Sequence, residues 1–229
     1  MSDDRYARYG AAAGIISVIL TVVGFAVFGS DIPDTDASAQ EWSSFYVDNQ
    51  DQIQTGVTLL GIGAFFFVWF LGSLRSAIAA AEGGSARLAS IALAGGTVAA
   101  VFFVVVATVS AAAAFRPDEV DPTITRALSD VGLVSAAPAA AGFTALFAAM
   151  AIAGYRHGAL PAPVAGLSAL AAIAQPLAYG VAVTETGAFA ADGVLGLWVP
   201  FATAVVAILA ASAALMRNPT PSRAAAAPQ

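Results

Sequence analysis

The chain has 229 residues, 59% of them hydrophobic and only 10% charged, with a net charge of −6 and a mean hydropathy of +0.81. Soluble domains carry about a quarter charged residues, so these figures define a mostly lipid-embedded, all-α protein, and the acidic balance excludes a nucleic-acid partner, which needs a basic patch. Cysteine and lysine are both absent; disulfides, thiol chemistry and Cys-based metal sites are excluded with the first, and Schiff-base cofactors such as retinal or pyridoxal with the second.

A helix needs about twenty apolar residues to cross a bilayer core. Six segments qualify, roughly 9–29, 53–74, 88–114, 127–155, 164–183 and 194–216. The expected fold is a polytopic six-helix transmembrane bundle, preceded by a short N-terminus (1–8) and followed by a disordered tail (217–229) of low complexity. Before the first span stand Arg5 and Arg8. Its apolar run is too long for the core of a signal peptide, and the cleavage-like Ala37-Ser38-Ala39 lies well beyond its end, so it is expected to be an uncleaved anchor.

The loop after it holds "DIPDTD", with Asp31, Asp34 and Asp36. Three carboxylates suit a divalent cation, but their spacing fits no recognised cage and no metal is expected. Next, "EWSSFYVDNQDQI" places Trp42, Phe45 and Tyr46 on one helical face. Such a face suits a helix resting on lipid headgroups; the alternative is a lid over an outward-facing cavity.

In the second span, "FFFVWF" (Phe65 to Phe70) is bulky all round and is expected to face lipid in part. Arg75 and Arg87 flank the turn to the third span. Small residues at every fourth position, Gly10 and Gly14 in the first span and Ala92, Gly96 and Ala100 in the third, permit close helix approach. They serve contacts within a bundle and between copies equally, so a homo-oligomer stays open. The run "FFFVWFLGSLRSAIAAAEGG" followed by "LASIALAGG" resembles a type of six-span integral membrane protein of actinobacteria, in which an aromatic-rich span ends in a Leu-Arg step and a Glu-Gly turn. "GALPAPVAGL" before the fifth span fits the same type. The resemblance implies residence in a bacterial inner membrane and no particular activity.

At the start of the fourth span, "ALSDVG" offers Ser129 and Asp130 as caps for the helix N-terminus, with a cation or proton site at Asp130 as the alternative. No ionisable residue occupies the centre of any span, which argues against proton-coupled transport. His157, the sole histidine, supports neither a bis-histidine haem nor a Ser–His pair, and GxSxG and HExxH are absent. No catalytic residue and no cofactor is therefore expected; a lipid-modifying enzyme using Asp118, Glu119 or Asp130 is the remaining enzymatic reading.

The fifth span contains "AIAQPLAYG". Pro176 removes an N–H and should bend or open the helix; the Gln175 amide can satisfy a freed carbonyl near Ala172 or bond a neighbouring helix. Pro138 and Pro200 pose the same problem in the fourth and sixth spans. Kinks there pack irregularly, with Gln175 as interhelical glue, or surround a small polar pocket at Gln175, Pro176 and Thr203. Seven arginines fall on one side of a six-span layout and only Arg116 and Arg126 on the other, so both termini are expected in the cytoplasm. Two classes of function remain: a non-enzymatic membrane component, and a small-solute transporter or channel centred on the last three helices.

Overall fold

A computed structural model describes residues 3–29 and 32–217 of the protein; Asp31 of the acidic loop, and the tail from 218 onward with Arg223, lie outside them. Among the described residues there is no strand, and eight α-helices follow in chain order: α1 Asp3–Phe28, α2 Ala39–Asp48, α3 Gln50–Glu82, α4 Arg87–Phe115, α5 Pro122–Val134, α6 Ala136–His157, α7 Ala162–Ala174 and α8 Val199–Arg217. Tighter 3₁₀ turns cover Pro117–Glu119 and Gln175–Ala182, and a wide π turn covers Val194–Trp198.

Six helical stretches are long and apolar enough to cross a bilayer: Arg8–Phe28, Gln50–Glu82, Arg87–Phe115, Pro122–His157, Ala162–Ala182 and Val194–Arg217. At about 1.5 Å per residue, α6 alone reaches about 33 Å, against a hydrocarbon core of about 30 Å. Length and composition are thus compatible with an integral membrane protein. The stretches run antiparallel and close a ring in chain order: α1 on α3, α3 on α4, α4 on α6, α6 on α7, α7 on α8, and α8 back on α1. One end of the ring carries α2, α5 and the 183–193 loop, and we call it the capped end. Arg8, Arg75, Arg87, Arg156 and Arg217 all stand at the opposite end.

The ring's flanks are apolar. In α3, Phe67 and Phe70 point inward and are buried, whereas Phe65, Val68 and Trp69 are half exposed; the aromatic run divides between two faces because successive helical residues turn by about 100°. The small-residue stripes work inside the bundle. A Cβ at Gly10 would strike Ser73 of α3, and one at Gly14 would strike Ser212 of α8. The tightest crossing is one the small-residue pattern did not single out: Gly142 of α6 lies against the backbone of Gly95 and Ala99 in α4, so that any Cβ at Gly142 would sit 2.6 Å from the Ala99 nitrogen. Between α3 and α4 the Glu-Gly turn has a definite job. Gly83 takes a left-handed conformation (φ 68°), and Glu82 reaches across it to accept from the Leu88 and Ala89 N–H groups, each at 2.9 Å. That carboxylate caps α4, whose N-cap position is held by Ala86.

Two sequence-based expectations need correction, and the bend expected at Pro138 is present. The fourth span is one membrane-length stretch, Pro122–His157. Within it the helix is interrupted at Ser135, between α5 and α6, because Pro138 has no N–H to offer the Val134 carbonyl; the Ser135 hydroxyl turns back to the Val131 carbonyl at 2.6 Å. Ser129 and Asp130 do not cap a helix. Asp121 does, accepting from the Thr123 N–H at 2.8 Å with Pro122 in the first turn. Finally, Trp42, Phe45 and Tyr46 do not lie on headgroups. All three are buried, packed with Phe28, Ile53, Ala113 and Ala114 at the ends of α1, α3 and α4.

That packing makes α2 a cap. It begins with a capping box, the Ser38 hydroxyl accepting from the Glu41 N–H and the Glu41 carboxylate from the Ser38 N–H; the Ser38 N–H and hydroxyl hold the Glu41 carboxyl below its ordinary pKa. Arg126 of α5 ties the cap down. Its guanidinium donates to the carbonyls of Ala37 (2.8 Å) and Thr35, pairs with Asp130 at 3.0 Å, and lies 5.7 Å from the centre of the Trp42 ring. Burial pushes the Tyr46 phenol above its ordinary pKa, against hydrogen bonds with Ser129 and Ser110 that pull it down.

Candidate functional site

Below the cap, in the same half of the ring, all six spans contribute to a cavity of about 150 Å³. Its construction begins with the prolines. α-Helical geometry ends at Ala174, two residues before Pro176, and the chain continues as 3₁₀ from Gln175 through Ala182. Pro200 follows the π turn, in which the Val199 N–H reaches back to Val194. Pro138 sits one turn after the Ser135 break. All three interruptions border the cavity, where Gln175, Ala178, Gly196, Leu197, Pro200, Ser135, Ala136 and Ala139 form part of the wall. Helical regularity is lost where backbone lines an internal space, as the membrane rule for irregular backbone requires.

The remaining wall is aromatic. Phe201 (α8) meets Phe25 (α1) at 5.4 Å, Phe25 meets Phe103 (α4) at 6.2 Å, Phe103 meets Phe143 (α6) at 5.8 Å, and Phe143 meets Phe67 (α3) at 6.1 Å between ring centres. Most of these contacts are edge-to-face, the arrangement that ring quadrupoles favour. Five spans thus supply one phenylalanine each to a collar, and the fifth span supplies Gln175.

Gln175 is only 3% exposed. Its Nε2 donates to the Pro200 carbonyl at 2.8 Å, and the Thr203 hydroxyl donates to the carbonyls of Val199 (2.8 Å) and Pro200 (3.0 Å). The amide therefore serves the neighbouring span, not the carbonyl near Ala172. Of the four candidate residues, Gln175 and Thr203 meet at one carbonyl, Pro176 shapes the turn beside them, and Asp130 is elsewhere. Asp130 stands on α5, half exposed and paired with Arg126. The cavity beside Gln175 is lined mostly by apolar side chains.

Two wall residues escaped sequence reasoning. Ser17 and Thr21, one turn apart on α1, line the cavity. Thr55, Thr58, Thr97, Thr108 and Thr144 all return their hydroxyls to the carbonyl four residues back; Ser17 and Thr21 make no such bond. Two hydroxyls on one face of an otherwise apolar span were the available signal.

The other candidate chemistries are not brought together. Arg116 and Glu119 pair at 3.7 Å on an exposed turn, and no group of three or more metal-ligating side chains gathers among the described residues. Fold and site together define an α-helical bundle with six membrane-length stretches and an internal aromatic chamber. No family model, curated protein or solved structure matches the chain.

Proposed function

We propose that this is a multi-pass protein of a bacterial inner membrane, with both termini cytoplasmic, and that it works by binding a small apolar molecule rather than by catalysis. The observation that carries this reading is the chamber itself. No titratable side chain lines it, so it offers no acid, and no base to activate the Ser17 and Thr21 hydroxyls, and an ion would enter at a large desolvation cost. Its volume is below the range of about 300–1,000 Å³ usual for drug-sized ligands and is the size that takes up benzene-sized molecules. The orientation rests on the arginines, five of which share the end opposite the cap.

An open channel fits less well, because the half of the bundle away from the cap is filled by Phe70, Leu71, Leu74, Ile78, Phe147 and Met150. Carrier-type transport remains the second reading, favoured by the broken fifth and sixth spans at the chamber, the form that transporter sites take.

Fluorine NMR of 4-fluorotoluene with the protein in nanodiscs tests the binding reading. The expected result is a saturable bound resonance, one site per chain, distinct from lipid-dissolved probe. Filling the wall with Ala139→Leu and Ala204→Leu together should weaken binding at least about tenfold, the equivalent of about 1.4 kcal/mol. No saturable signal, or one indifferent to both substitutions, contradicts the reading.

A further inference from the structure

The chamber is not uniformly apolar, and its one amide has a fixed orientation. The Pro200 carbonyl can only accept, so the Gln175 group that meets it at 2.8 Å must be the N–H side. The side-chain oxygen is then left over. It accepts no hydrogen bond from the described residues, and Gln175 belongs to the chamber wall. That oxygen has no donor, since the aromatic collar has no N–H or O–H to give it and neither the Ser17 nor the Thr21 hydroxyl of the wall bonds to it, and an unmet acceptor in a mostly apolar space is costly. We infer that the chamber selects an uncharged, single-ring aromatic molecule carrying one hydroxyl or ring N–H, with the ring held in the collar of Phe25, Phe67, Phe103 and Phe143 and its donor aimed at Gln175 Oε1.

Each part of that description follows from a different observation. One ring is set by the volume of about 150 Å³. Aromatic character is set by the edge-to-face collar, whose ring edges and faces complement a further ring. Neutrality is set by the absence of titratable groups from the wall. The single donor is set by the Gln175 oxygen. A carboxylate would bring a second acceptor against that oxygen and is rejected; a purely hydrocarbon ring fits the space and leaves the oxygen unmet.

This inference rests on the binding reading above, and the experiment separates the two. The probes are 4-fluorophenol, 4-fluorotoluene and 4-fluorobenzoate, applied to full-length protein in nanodiscs. In the wild type, 4-fluorophenol and 4-fluorotoluene are expected to bind and 4-fluorobenzoate is not. Gln175→Leu should lower the ratio of 4-fluorophenol to 4-fluorotoluene affinity about tenfold, because one hydrogen bond in a desolvated site is lost. Should that variant fail to fold, the wild-type protein still decides: the side-chain carbonyl carbon resonance of Gln175 is expected to move on adding 4-fluorophenol and to stay in place with 4-fluorotoluene. An unchanged affinity ratio, or an unmoved Gln175 resonance with 4-fluorophenol bound, overturns the inference while the apolar-chamber reading stands. If neither neutral probe binds, both fall.

Discussion

Gly142→Leu is expected to prevent assembly of the bundle or to lower its stability by about 3 kcal/mol or more. Overpacking in a core usually costs about 1–3 kcal/mol, and this site belongs at or beyond the top of that range. A Cβ at Gly142 would meet the Ala99 nitrogen and the Gly95 oxygen, each at 2.6 Å. Those are backbone atoms, which no rotamer change can move aside. α4 and α6 would have to separate, opening the collar between Phe103 and Phe143. Gly61 and Gly72 provide the control, since nothing lies within 4 Å of a Cβ at either; Leu there should be tolerated. Thermal unfolding of the three variants in one detergent checks the expectation, and equal melting of Gly142→Leu and Gly61→Leu would contradict it.

Arg126→Ala should be the second most damaging change, at about 2–3 kcal/mol, and far worse than removal of its ion-pair partner. Hydrogen bonds to charged groups are worth about 1.5–3 kcal/mol, and Arg126 gives two to loop carbonyls while covering the Trp42 ring. Its pair with Asp130 is different in kind. The Asp130 side chain is 49% exposed, and such pairs contribute about 0–1 kcal/mol. Asp130→Ala should therefore be nearly silent. Limited proteolysis within 32–38 reports release of the cap: the expected order of cleavage is Arg126→Ala well ahead of both Asp130→Ala and wild type. Equal loss from the two substitutions would mean that the ion pair, and not the backbone tether, holds the cap.

The six membrane-length helices were legible because apolarity over about twenty residues is a local property that needs no tertiary context. The three prolines were legible for a similar reason, since a missing N–H disrupts a helix wherever it is placed. What failed were several judgements about which neighbour a side chain meets. The aromatic face of α2 has the composition of an interfacial helix, yet it packs inward because α5, split from α6 at Ser135, supplies a partner for it. Asp130 has the composition of a cap and lies in mid-helix, because α5 begins eight residues earlier at Pro122. Gln175 stood out in the sequence as a polar residue in an apolar run, but its partner is 25 residues away. The sequence offered a pocket at Gln175 only as an alternative, and the collar did not show in it because five spans give one phenylalanine each and no single segment carries a motif. Ring closure of α8 on α1 creates the space, through contacts such as Phe25 with Phe201 that join the two ends of the chain.

The absence of cysteine makes the membrane topology directly measurable. Single cysteines at Asp36, Gly187, Ser85 and Ala159 can be probed with a membrane-impermeant maleimide on intact cells and again after permeabilisation. Asp36→Cys and Gly187→Cys, at the capped end, should react in intact cells, whereas Ser85→Cys and Ala159→Cys should react only once the membrane is opened. Labelling of Ser85→Cys from outside, or protection of Gly187→Cys, would contradict a bundle that crosses the bilayer six times with its chamber in the outer half.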